Sequence, residues 1–359
     1  MDARFIQRIA KIEARLAEAL PENPGALWIA KTFPDLDGPW FPACTGPLLE
    51  PGRDILARGG KRWRPLLMTL ICERLGGGDA ALPLTPLIEL PHNASLIHDD
   101  IEDNADERRG KPAVHLIHGV DSAINGGSFL YFLPLSCIDG WDAPGEWKNR
   151  VYACWGEQLR RLHLGQAMDI HWHRHRAALP GLEEYTLMCR LKTGSLARLA
   201  AHLGVYAAYA RFPVNQAASC EQALRVWGEA AEKLGVGFQI LDDVKNLTTG
   251  NPGKKRGDDL VEGKKSLPIL LFLRKNPGGR PLVERCFAAA RSGGAGVPEV
   301  EELIQALESQ DILTEARSWG DALVDEAQRS FASYGGGRDE PERSAEAQTL
   351  LGGIAGLLR

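Results

Sequence analysis

The stretch Leu90-Pro91-His92-Asn93-Ala94-Ser95-Leu96-Ile97-His98-Asp99-Asp100-Ile101-Glu102-Asp103 runs an apolar helical pattern straight into four carboxylates. A helix that is largely buried up to Ile97 needs a reason to carry charge there, because buried carboxylates are costly unless paired or bound to metal. On a helix Asp99 and Asp103, four residues apart, share a face and can turn their oxygens on one hard cation. Asp100 points about 100° away and is better placed to support that site. A solvated acidic turn at a helix end looks the same in isolation, so this motif decides nothing alone.

A second acidic pair changes its weight. Phe238-Gln239-Ile240-Leu241-Asp242-Asp243-Val244-Lys245-Asn246 again leads from an apolar run into paired carboxylates at helical spacing. Magnesium keeps several waters and binds through a few carboxylates and substrate phosphates, so two such clusters facing each other suit a diphosphate. Basic residues are placed to complete the site. Gly59-Gly60-Lys61-Arg62-Trp63-Arg64-Pro65 is a glycine turn opening a helix, where backbone N–H groups, Lys61 and Arg64 can receive an anion. Arg108-Arg109-Gly110 follows the first cluster, and Lys192-Thr193-Gly194, Lys254 and Lys264 lie further on. Each alone reads as solvated surface charge; together they are harder to dismiss.

The background of the chain is helical. Hydrophobic residues make up 44% of the 359 and aromatics 7%, with Ala and Leu frequent and few long β-branched runs, which predicts an all-α fold. A net charge of −5 leaves no basic field for nucleic acid. Seven scattered cysteines without a CxxC pair point to a reduced, cytoplasmic protein without structural zinc. No apolar run reaches the length of a transmembrane helix, and the first residues lack the regions of a signal peptide. Ile6, Ile9, Ile12, Leu16 and Leu20 mark a core-facing helix at the start.

Residues 21–52, rich in Pro and Gly, read as an irregular elaboration pinned by Trp28, Phe33, Trp40 and Phe41, and 276–298 as a second Gly/Pro-rich stretch. Ile312, Ala316, Trp319, Leu323 and Ala327 predict the buried face of a late helix. His171-Trp172-His173-Arg174-His175 invites a metal reading, but positions two apart diverge on a helix, so a solvated polar stretch is expected. Trp63 is assigned to core packing. The whole chain, 1–359, is read as a single domain.

These motifs resemble the trans-isoprenyl diphosphate synthase (polyprenyl synthetase) family. The resemblance runs in order from Gly59 to Pro268. It includes Gly59–Pro65, His92–Asp103, Arg108-Arg109-Gly110-Lys111-Pro112, Gly165-Gln166-Ala167-Met168-Asp169, Lys192–Leu196, Phe238–Asp243 and Gly257-Asp258-Asp259-Leu260-Val261-Glu262-Gly263-Lys264-Lys265-Ser266-Leu267-Pro268. It implies a helical bundle around a deep cavity, usually a homodimer, in which Mg²⁺, three ions with substrate bound, is held by Asp99, Asp100, Asp103, Asp242 and Asp243. Lys61, Arg64, His92 and Arg109 would hold isopentenyl diphosphate; Arg108, Lys192, Thr193, Gln239, Lys254 and Lys264 would hold an allylic diphosphate. Asp99, Asp103, Lys192 and Asp242 carry the catalysis on this reading. Asn246 stands where much of the family has a third Asp, and with His92–Leu96 it resembles the geranylgeranyl diphosphate synthase branch.

In that family product length is limited by bulky residues before the first cluster. Ala94 and Ser95 are small, and at roughly 6–8 Å from the metal site they leave no floor there. The expected product is geranylgeranyl diphosphate (C20), with C25 or longer as the alternative. Leu90, Pro91, Phe129, Tyr131 and Phe132 are deeper floor candidates or plain core. A terpene cyclase, or a non-catalytic subunit of a partner synthase, would not need Lys61, Arg64 and Arg109 together.

Overall fold

A computed structural model describes residues 2–36, 42–175, 178–212, 217–250, 255–334 and 341–357. The fold is all-α; the only strands among the described residues are the pair Glu107–Arg108 and Lys111–Pro112. The chain forms two compact units. One comprises Met1–Glu157, Leu199–Gly228 and Phe331–Leu357, the other Gln158–Arg198, Glu229–Ser330 and Leu358–Arg359.

The first unit packs around the helices Trp63–Arg74 and Pro86–Glu102. Leu66, Leu67, Leu70, Ile71, Leu87, Leu90 and Ile97 are fully enclosed. Ala3–Ala19 joins them through Phe5, Ile12 and Leu16, while Ile6 is exposed, so the expected stripe holds with Phe5 in the place of Ile6. Burying an aliphatic side chain of this size contributes about 1.5–3 kcal/mol, which makes such stripes decisive for short helices.

Residues 21–52 are not irregular. They contain the helix Ala26–Thr32 and most of Pro42–Ala57, which carries Pro47 and Pro51 in its interior. Proline disfavours a helix interior, but here packing outweighs propensity. A side chain added at Gly52 would meet Leu130 at 2.8 Å, and one at Gly126 would meet Leu48 O at 3.0 Å. The helices Pro42–Ala57 and Val120–Phe132 therefore touch through their glycines. Trp28 does anchor the segment, donating to Ala19 O at 3.0 Å, and Phe33 stacks on Phe129 with centroids 5.9 Å apart. Trp40 and Phe41 lie outside the described residues.

The second unit has its core in Tyr185, Val236, Ile240, Val244, Leu260, Leu271, Leu303, Leu307, Ile312 and Ala316. The stretch 276–298, read as Gly/Pro-rich, holds the helix Arg280–Gly293, which buries Val283, Cys286, Phe287 and Ala290. The late helix spans Ile312–Ser333 with Ile312, Ala316 and Ala327 enclosed and Trp319 and Leu323 packed beside them, as the spacing predicts. No described helix is long and apolar enough to cross a membrane. None of the six cysteines whose side chains are described forms a disulfide.

Candidate active site

In the first unit the glycine turn and the helix it opens gather a set of cations. Arg62, at the N-cap of Trp63–Arg74, has φ 48° and is 3% exposed. Its guanidinium is saturated: Nε donates to Glu13 at 2.6 Å, Nη1 to Glu89 at 2.7 Å and Nη2 to Leu56 O at 2.8 Å. Arg64, two residues on, is different. It is buried with its guanidinium 4.5 Å above the Trp63 ring, Nη1 lies 3.4 Å from His92 Nε2, and Nε is buried without a partner. Burial holds its pKa at about 10, and burial followed by the charges of Arg64 and Arg109 keeps His92 well below its ordinary value, so the imidazole is neutral.

Arg109 reaches the same place from a hairpin. Arg108 pairs with Lys111 across a two-residue loop, and both loop residues, Arg109 (φ 54°) and Gly110 (φ 74°), adopt the left-handed conformation that such a tight turn demands. A non-glycine residue there is strained and needs support. Arg109 Nη1 supplies it by donating to Ile55 O at 3.1 Å, to Gly59 O and to Asn93 Oδ1 at 3.3 Å. A side chain at Gly60 would approach Arg109 Nη2 at 3.2 Å and Arg62 Nη1 at 3.3 Å, so glycine keeps the approach to both guanidinia open. Lys61 is exposed beside them.

Along the helix Pro86–Glu102, one face is enclosed through Asn93, Ala94, Ile97 and Asp100, while His92, Ser95 and Asp99 remain partly exposed on the other. Asp103 caps the helix and is also partly exposed. Four carboxylates thus crowd a helix C-terminus, where the backbone dipole is itself negative and no basic residue occupies the last turn. Asp100 is fully buried, and its Oδ1 accepts Nε of Arg108 at 2.8 Å as well as Nη2. Arg108 Nη2 stands 3.7 Å from Asp99. Asp99, Glu102 and Asp103 are the partly exposed carboxylates, and Asp100 fixes Arg108.

The second unit holds the other half of the predicted set. Leu182–Cys189 continues into a π-helical turn, Arg190–Gly194, a wider winding that is frequent at functional sites. Gly165 faces it: a side chain there would stand 2.3 Å from Lys192 N. One turn beyond Gly165, Asp169 accepts from Lys192 Nζ at 2.6 Å. Thr193 donates to Gln239 at 2.8 Å, and Gln239 in turn to Asp243 Oδ1 at 2.9 Å; Tyr185 OH takes the other oxygen of Asp243 at 2.7 Å. With both oxygens engaged, burial first and the charge of Asp259 next push the Asp243 carboxyl up to about 7. Asp242 remains partly exposed. Lys264 pairs with Glu262 at 2.7 Å and with Asp259 at 3.3 Å.

Asn246 is fully buried and its Oδ1 accepts the Asp259 backbone N–H at 3.2 Å. It holds the turn entering Asp258–Glu262 and does not offer its oxygen to a cation, as a ligand reading of this position would require. Among the described residues no three metal-ligating side chains already surround one point. The oxygen donors present suit a hard ion that brings water and phosphate ligands of its own and needs only one or two carboxylates from each cluster.

A profile of polyprenyl synthetases matches residues 46–307 of this chain. The chain belongs to the polyprenyl synthetase family. It is 36% identical over 226 residues to a geranylgeranyl pyrophosphate synthase of Neocamarosporium betae, an alignment spanning 62% of this chain and 60% of that one. It is 34% identical over 239 residues to a geranylfarnesyl diphosphate synthase of Aeropyrum pernix, spanning 64% and 71%. The crystal structure of a geranylgeranyl pyrophosphate synthetase from Pyrococcus horikoshii Ot3 superposes with a TM-score of 0.76 at 26% identity, covering 98% of this chain and 97% of that one.

In this polyprenyl synthetase Arg64, His92 and Arg109 come together, with Lys61 beside them, while Lys192, Thr193, Gln239, Asp243 and Lys264 fall in the second unit. Lys254 lies outside the described residues. Ala94 is wholly enclosed on the side of Leu90 and Ile97; of the two small residues, only Ser95 shares the accessible face of Asp99. Tyr131 is 5.7 Å from the His98 ring, and Phe132 is 65% exposed. His171 and His175 are exposed, whereas Trp172 is core and His173 Nδ1 is buried without a partner, so the polar stretch is only partly solvated. Sequence reasoning gave no role to Arg62, Glu89, Asn93, Asp169, Tyr185 or Asp259. Asp169 sat in a quoted motif, but Tyr185 lies 58 residues from its partner Asp243 and leaves no local signal.

Proposed function

We propose that this polyprenyl synthetase is a trans-prenyltransferase that condenses isopentenyl diphosphate with an allylic diphosphate. The observation that carries the reading is Arg64: a buried guanidinium with an unsatisfied N–H, beside Arg109, where the nearest buried carboxylate is already committed to Arg62. Such a place needs an anion.

The fit to Mg²⁺ rests on all-oxygen donor sets and on carboxylates held at a helix C-terminus. Asp99 and Asp103 would hold it in the first unit and Asp242 in the second; Asp100 and Asp243, enclosed and hydrogen-bonded, keep Arg108 and Gln239 in place and do not serve as direct ligands. Bound there, the ions, three in our reading, supply charge neutralisation on the departing pyrophosphate. Lys192 and Lys264 exchange their carboxylate partners for phosphate oxygens, and Arg108, still held by Asp100, adds its positive charge. The allylic C–O bond breaks with its electron pair leaving on pyrophosphate. The double bond of isopentenyl diphosphate, oriented by Lys61, Arg64, His92 and Arg109, then attacks the allylic carbon, and the proton lost is taken by the pyrophosphate. Neutral His92 serves as a hydrogen-bonding group and not as a charge.

We read the chain as a single synthetase domain, in a cytoplasmic homodimer. Geranylgeranyl diphosphate is the product we assign. The test is the purified chain with Mg²⁺, labelled isopentenyl diphosphate, and dimethylallyl, geranyl or farnesyl diphosphate in turn. A labelled C20 product is expected; the absence of any product longer than the primer sinks the reading.

A further inference from the structure

We infer that Asn93 and Glu89 are positioning residues for isopentenyl diphosphate: Asn93 relays the fixed carboxylate of Glu89 to the guanidinium of Arg109. This rests on the assignment of Arg109 to that substrate.

Glu89 and Asn93 stand one turn apart on Pro86–Glu102, 2% and 0% exposed. The amide Nδ2 of Asn93 donates to Glu89 O at 2.7 Å and to Glu89 Oε1 at 3.1 Å. These two bonds decide which way the amide faces, because a flipped amide would turn its carbonyl oxygen onto two acceptors. With Nδ2 committed to Glu89, Oδ1 is turned to Arg109 Nη1 at 3.3 Å. Glu89 is itself immobilised by Arg62, whose other donors are taken by Glu13 and Leu56 O. The chain Glu13–Arg62–Glu89–Asn93–Arg109 thus runs from the first helix to the hairpin loop.

Its effect on Arg109 is directional. All three acceptors that reach this guanidinium, Ile55 O, Gly59 O and Asn93 Oδ1, take Nη1. Nη2 then lies over Gly60, where only the missing side chain leaves room. A guanidinium gripped at one amine presents its opposite edge in one orientation, which lowers the ordering cost of binding a diphosphate there. Glu89 also offsets the mutual repulsion of Arg62, Arg64 and Arg109 without occupying the edge that faces the ligand.

The experiment varies isopentenyl diphosphate and allylic primer separately in the full chain and measures isopentenyl diphosphate binding by calorimetry. Asn93→Ala is expected to raise KM and Kd for isopentenyl diphosphate about tenfold, the scale of one weakened charge-assisted hydrogen bond, and to leave the primer KM within about twofold. In an Arg109→Ala background the same substitution adds nothing, since the relay has lost its target. Glu89→Gln, close in volume, shows the same split with a smaller rise, and serves if Asn93→Ala does not fold. An equal rise in both KM values, or additive effects of Asn93→Ala and Arg109→Ala, overturns the relay while leaving the diphosphate site intact. Unchanged isopentenyl diphosphate binding in Arg109→Ala removes the site itself and the relay with it.

Discussion

At the residue scale, Ala94 and Ser95 are neighbours in sequence with opposite environments. Ala94 is enclosed with Leu90 and Ile97, while Ser95 stands one turn before Asp99 on the partly exposed face, its hydroxyl turned to His92 O at 2.8 Å. A bulky residue can shorten the product only where the growing chain passes. Ser95→Phe is therefore expected to shift the product toward C15, read by chain-length analysis of labelled diphosphates. Ala94→Phe instead overfills a closed core and costs about 1–3 kcal/mol, read as a lower urea midpoint. A shortened product from Ala94→Phe with unchanged stability would reverse the assignment. The helical pattern of 90–103 was legible in the letters alone. Which side each small residue faces was not, because it is fixed by partners such as Gly127, whose added side chain would strike His98 Nε2 at 2.9 Å.

At the element scale, the second half of the site depends on how closely the helix Gly145–Arg174 passes the turn Arg190–Gly194. Gly165 permits the approach, and Asp169 profits from it by reaching Lys192. An added methyl cannot be absorbed by side-chain movement, since the atom it meets is the Lys192 backbone nitrogen at 2.3 Å. Gly165→Ala is expected to lower the urea midpoint by an amount equivalent to about 1–3 kcal/mol and to raise KM for the allylic primer more than that for isopentenyl diphosphate, which kinetics with each substrate varied in turn will show. An equal change in both would mean that the turn is not part of the primer site. The sequence marks Gly165–Asp169 and Lys192–Gly194 as motifs but not as neighbours, since their meeting depends on the wider π turn, which no local spacing announces. The helices Pro42–Ala57 and Arg280–Gly293 were hidden for a related reason: their Pro and Gly read as breakers, and only the surfaces they cover outweigh that propensity.

At the scale of the whole molecule, the four boundaries between the two units that precede Leu357 fall inside helices. Residues 157 and 158 lie within Gly145–Arg174, 198 and 199 within Ser195–Tyr209, 228 and 229 within Ala217–Thr248, and 330 and 331 within Ile312–Ser333. Independent domains are ordinarily joined by exposed linkers, and a unit that melts alone here must break four continuous helices. The expected consequence is one cooperative calorimetric transition with a ratio of calorimetric to van't Hoff enthalpy near one. Mg²⁺-pyrophosphate, at about a hundred times the dissociation constant of that complex, should move the transition upward by the equivalent of about 2.7 kcal/mol. Either one alone moves it less, because the carboxylates and the phosphate complete each other's coordination. Asp99→Asn and Asp242→Asn should each reduce the joint shift. Two separable transitions would make the units independent domains.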